Sequence, residues 1–150
     1  MTDADDLPLF ADTADFDAVQ SELMERGFGD GLPLVPPTAR RLDAMLAGLG
    51  DRDASLGFMP PLFGDVTPRA VSWNALAAGC APAHLPVVLA AAQATLVDAF
   101  NLLGLATTTG SAAVAVLVHG PEVARLGMNA GIYCMGPGNR ANAAIGRARS

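Results

Sequence analysis

A chain of 150 residues with a formal charge of −6, nine arginines and no lysine is long enough for one domain with its own core. Its charge has the wrong sign for a nucleic-acid binder, which needs a basic face to displace phosphate counterions. Twelve of its fifteen acidic residues precede position 54, and Asp98 is the only charged side chain from Ala70 to Pro121. A small domain spreads charge over all its exposed faces, so the charge-poor half implies a cover, and an oligomer or a partner subunit is the simplest one.

Residues 1–12 are acidic and read as a loose arm, leaving a single domain over 13–150. Phe16, Val19 and Leu23 recur at helical spacing, with Asp15 placed as an N-cap and Gly27 as the stop, which predicts a helix from Phe16 to Arg26. "GFGDGLPLVPPT" (27–38) is too rich in Gly and Pro for regular structure. Within it, Asp30 between two glycines fits an Asx-turn better than a projecting carboxylate. Thr38 starts a second short helix through about Leu49, and "SLGFMPPLFGDV" predicts one or two short strands broken by Pro60 and Pro61.

Thr67-Pro68 is a strong helix start, running to Gly79-Cys80. Pro82 interrupts it, and an alanine-rich helix is expected from near His84 to Asn101, with Pro86 tolerated in its first turn. "GLATTTGS" reads as a loop or strand end, and "AAVAVLVHG" as the best candidate for a buried strand. Pro121–Leu126 and Asn139–Arg149 complete the helices. The class is α/β or α+β, helix-rich with few strands. The strands are too few for a doubly wound sheet, so the chain reads as part of a larger fold completed by another chain.

The stretch 82–100 approaches membrane-spanning length but contains His84, Pro86, Gln93 and Asp98 and lacks flanking anchors. The acidic N-terminus is neither a secretory signal nor a transit peptide. The expectation is a soluble, cytoplasmic protein. Cys80 and Cys134 stand 54 residues apart without CxxC spacing and read as free thiols, and His84 and His119 build no zinc pattern with them. No metal or cofactor is implied.

Chemistry concentrates in "MGPGNRANAAIGRA". Gly136 and Gly138 let backbone approach a ligand, the following helix offers free N–H groups and a positive dipole end, and Arg140 adds a forked donor for carboxylate or phosphate. Asn139 and Asn142 fall beside it. An N-cap and a tight turn explain Gly138 and Asn139 equally well, but not Arg140. In "ATTTGSA", Thr108, Thr109 and Ser111 can line a pocket with hydroxyls, or simply form a turn. Cys134, near a helix start and Arg140, is better placed for thiolate formation than Cys80 at a helix end. Cys80 reads as a small buried hydrophobe, and His84, which could act on either cysteine, reads more simply as a residue of the helix N-terminus.

The ordered segments "GDGLPLVPPT", "NALAAGCAPAHLPVVLAA", "FNLLGLATTTGSAAVAVLVHGP" and "GMNAGIYCMGPGNRANAAIGRA" resemble the large protein associated with the UGSC-type (seleno)proteins of bacteria, over residues 20–148. The resemblance implies a partner protein or domain whose motif carries a reactive cysteine or selenocysteine; this chain has no such motif of its own. It also implies that Cys80 sits in the family's "AGC" stretch, that Asn139, Arg140 and Asn142 sit in its "GNRAN" stretch, and that Cys134 falls at a variable position. Members of the family continue beyond the point matching Arg149, which implies a shortened chain or a remainder on a second polypeptide.

Three functions follow. The first is a subunit of a heteromeric cysteine- or selenocysteine-dependent enzyme acting on a small anionic molecule. In it, Asn139, Arg140 and Asn142 hold the anion, Thr108, Thr109 and Ser111 line the pocket, and Gly138 offers backbone donors. The second is a non-catalytic assembly module that stabilises a partner. The third is a self-contained thiol redox protein using Cys80 and Cys134.

Overall fold

Short polar signals set the first helices. In the computed structural model, which describes residues 7–148, helix α1 (Phe16–Glu25) begins where the Asp15 carboxylate accepts from the Ala18 N–H. It ends on Gly27, whose N–H and that of Phe28 return to the carbonyls of Met24 and Leu23. The hydroxyl of Thr38 starts α2 (Ala39–Leu46), and that of Thr67 starts α3 (Pro68–Ala77). Helix α2 stops at Leu46, short of the expected Leu49. Between α2 and α3 lies an antiparallel ribbon of β1 (Gly57–Met59) and β2 (Gly64–Val66), the one sheet among the described residues. The helix-rich class with few strands is therefore what the fold has.

Helix α3 is the hub. It packs between α2 and α4 (Leu85–Leu96) and buries Val71, Ser72, Trp73, Ala75, Leu76 and Ala77. The Trp73 indole, 1% exposed, stacks tilted on Phe28 at 4.9 Å and donates its N–H to the Pro8 carbonyl at 2.9 Å. A buried indole needs such a partner. That bond and the Phe10 N–H to Pro37 carbonyl bond at 2.8 Å hold residues 7–12 against the core. Half of the expected arm is thus packed structure; its residues 1–6 lie outside the described part.

Two expectations in the second half fail for backbone reasons. The helix expected to reach Asn101 breaks after Leu96. Asn101 takes a left-handed φ of 52°, and its side chain accepts from the Gly104 N–H to start α5 (Leu102–Thr107). Asn tolerates that conformation better than most residues. No single helix among the described residues is long and apolar enough to cross a membrane.

The expected buried strand in 112–120 does not form. The segment has no ladder partner, and Leu117 is 90% exposed. A strand exists only where another strand takes its N–H and C=O groups, and the single ribbon lies elsewhere. The segment instead faces Pro86, Val87, Ala90 and Ala94 of α4 across an open groove of about 550 Å³.

Helices α6 (Pro121–Arg125) and α7 (Arg140–Arg147) complete the order. Arg147 fastens α7 to the glycine-rich loop 117 residues earlier. Its guanidinium grips both Asp30 carboxylate oxygens at 2.6 and 2.8 Å and also donates to the carbonyls of Leu32 and Pro33. Asp30 also accepts from the Leu32 N–H, the expected Asx-turn.

The Arg147 guanidinium holds the Asp30 carboxyl at about 2, below its ordinary 3.8. A depressed carboxyl stabilises the fold above its unfolded pKa and loses that contribution as pH falls through the folded value. Wild-type stability in urea is therefore expected to fall between about pH 4 and pH 2 more steeply than that of Asp30→Asn. At pH 7 the variant is expected to be weaker by on the order of 1 kcal/mol, since both side chains are partly solvated. Parallel pH curves for the two proteins would show that the clamp contributes nothing.

Candidate functional site

The site grows from the end of α3. Gly79 adopts φ +95°, open to glycine and strained for other residues. Its N–H bonds the Leu76 carbonyl, and the Cys80 N–H bonds that of Ala75, the paired return bonds of a left-handed helix stop. The Ala77 carbonyl is taken by the Val35 N–H at 2.9 Å. The Gly79 carbonyl is taken by Arg140, whose Nε and Nη2 both point at it, at 3.2 and 3.1 Å. This places the first residue of α7 over the end of α3.

The chain then turns through Ala81 into α4, and the His84 side chain folds back on that turn. Its Nδ1 accepts from the Ala81 N–H at 3.1 Å, which fixes the ring proton on Nε2. His84 is 7% exposed, and its Nε2 has no hydrogen-bond partner among the described residues. Burial first, and the nearby Arg140 charge second, lower its pKa from the ordinary 6.5, so the ring is neutral at pH 7. Ala81, His84, Leu126, Gly127, Asn139, Arg140 and Ala141 enclose an open cleft of about 310 Å³.

Helix α7 reaches this cleft through a loop built on two asparagines. Gly138, at φ +109°, turns the chain into the helix. Asn139 caps it by accepting from the Asn142 N–H at 2.9 Å, while its amide donates to the Gly127 carbonyl at 2.8 Å. The Asn142 carboxamide accepts from the Asn129 N–H and donates to the carbonyls of Asn129 and Cys134. Each side-chain nitrogen and oxygen of this pair already has an internal partner. Asn139 and Asn142 hold the loop 127–138 in shape, and Arg140 alone of the three presents donor capacity to the cleft.

The other sequence candidates lie apart or inert. Thr108, Thr109 and Ser111 sit on an exposed loop after α5, where the Thr108 hydroxyl accepts from the Gly110 N–H, and none of them lines the cleft. Cys134 is half-buried in the loop that Asn142 organises, and both cysteines are free thiols. Cys80 is 4% exposed, and burial pushes its thiol up to about 11 against a smaller opposing pull from Arg140. A thiol so protonated is a poor nucleophile at neutral pH. No cluster of His, Cys, Asp and Glu among the described residues is placed to hold a metal ion.

Sequence reasoning passed over His84 as a cleft residue. Its nearness to Arg140 spans 56 positions and arises only because α3 ends beneath both. The one available signal was a polar ring in the uncharged run "CAPAHLP". No family model matches this chain, and no curated protein or solved structure matches it, so the cleft stands on its own geometry.

A folded thiol near 11 keeps a proton that the unfolded chain loses near 9, so stability is expected to fall as pH rises from about 9 to 11. Cys80→Ala removes that slope. In the wild-type protein at pH 7.5, iodoacetamide is expected to modify Cys134 and to reach Cys80 only in urea, read by peptide mass. Rapid modification of native Cys80 would contradict its assignment as an inert core thiol.

Proposed function

We propose that this chain is the anion-holding subunit of a heteromeric enzyme whose reactive cysteine or selenocysteine comes from a second polypeptide. The observation that carries the reading is a cleft furnished with donors but lacking an activated thiol. Arg140 stands at a helix start whose first N–H groups and dipole favour negative charge. The cysteine under the influence of Arg140, Cys80, is buried and protonated. Such a cleft binds and orients a carboxylate or phosphate, and a nucleophile delivered from outside completes it.

Exposed apolar groups support a second chain. Leu117, Ile132, Tyr133 and Met135 are each at least 79% exposed, on the unpaired segment and on the loop leading to α7. Resemblance to the proteins that accompany UGSC-type thiol or selenol carriers points the same way.

A non-catalytic assembly module is the second reading. The full internal engagement of Asn139 and Asn142 favours it, because it makes much of the "GNRAN" stretch architectural. The self-contained redox reading is weakest, since Cys80 is buried away from solvent.

Arg140→Lys separates the first two. Lysine keeps the charge but loses the planar fork. On the enzyme reading, the assembly stays intact and its turnover falls about 10-fold or more, the scale of one lost charge-assisted hydrogen bond. Unchanged turnover in an intact assembly would remove Arg140 from the site and leave the assembly module.

A further inference from the structure

The cleft says more about its ligand than that it is an anion. Arg140 is the only charged residue among those lining it, and its guanidinium already shares two N–H groups with the Gly79 carbonyl. His84 lines the same cleft and is 93% buried, with Nδ1 spent on the Ala81 N–H and Nε2–H unpartnered among the described residues. Nε2 itself is not fully buried, so its N–H stays open to the cleft as a ready donor for an anion. The N–H groups of Arg140 and Ala141 open α7, whose third N–H, that of Asn142, is taken by the Asn139 cap.

We propose that His84 is a second ligand-binding residue and that the cleft takes a monocarboxylate, held between the His84 Nε2–H and the Arg140 guanidinium. This rests on the anion-holding role given to Arg140 above. One full positive charge and one neutral donor match a single negative charge spread over two oxygens. A phosphate dianion would leave a charge uncompensated in a chain that is already net negative. The two donors also suit a planar group, whose oxygens bond one to each donor. The organic remainder of the ligand extends through the open mouth, toward whatever group the second chain brings.

The chain has only two histidines, and His119 lines the groove across from α4 instead, so it serves as an internal control. The full-length protein, labelled with ¹⁵N, is titrated at pH 7.5 with sodium propionate and, at matched ionic strength, with inorganic phosphate. Imidazole and arginine Nε resonances are followed. Propionate is expected to shift His84 Nε2 saturably, to leave His119 in place, and to bind about 10-fold more tightly than phosphate. Loss of one donor in His84→Phe or Arg140→Lys is expected to weaken propionate about 10-fold.

Propionate shifting Arg140 Nε but not His84 would overturn the role of His84 while leaving that of Arg140 standing. Tighter binding of phosphate would overturn the monocarboxylate assignment. No saturable shift with either anion would overturn the anion-holding role of Arg140 as well. If His84→Phe does not fold, the wild-type resonances and the propionate-to-phosphate ratio decide the matter.

Discussion

A buried helix cannot leave its last carbonyls bare, and the second half of this fold is arranged around that constraint at the end of α3. The carbonyls of Ala75 and Leu76 are met by the chain's own return through Gly79 and Cys80. That of Ala77 is met by Val35 from the proline-rich segment, and that of Gly79 by Arg140 from α7. Three stretches far apart in sequence are thereby drawn to one point. The cleft opens beside that point, between the turn at Ala81 and His84, Leu126–Gly127 and the start of α7, and Arg147, one helix length on, locks the arrangement against the Asp30 loop.

This origin divides the labour among the polar residues. Asn139 and Asn142 keep the loop and helix start in register, at the cost of their own availability to a ligand. Arg140 serves both ends: it completes α3 and still carries a charge and unused N–H groups at the cleft. His84 is held by its own turn and keeps one donor free. On the proposed reading the site binds and orients, and the nucleophile arrives with a partner that also covers the unpaired segment 111–119 and the exposed tip around Tyr133.

Local signals were legible in the sequence wherever a side chain acts within three or four residues. Asp15, Thr38, Thr67 and Asn139 each cap the helix that their position announced, and Gly27 stops α1 as its place after Arg26 suggested. The failures are long-range. "AAVAVLVHG" has the composition of a strand, but composition does not supply the neighbour that makes a strand. The left-handed turn at Asn101 was hidden inside an apolar run. Asn142 looked like a ligand residue because its three bonds, to Asn129 and Cys134, depend on how the loop closes. His84 looked structural for the mirror-image reason: the arginine that shares its cleft lies 56 positions away.

The central claim is that the cleft is half of a site. Native mass spectrometry of the assembly isolated from its own host, without a tag on this chain, tests that claim most directly. The account predicts a mass that requires a second polypeptide, with an alkylatable cysteine or selenocysteine in it. A species made only of copies of this chain, as monomer or homo-oligomer, would contradict it.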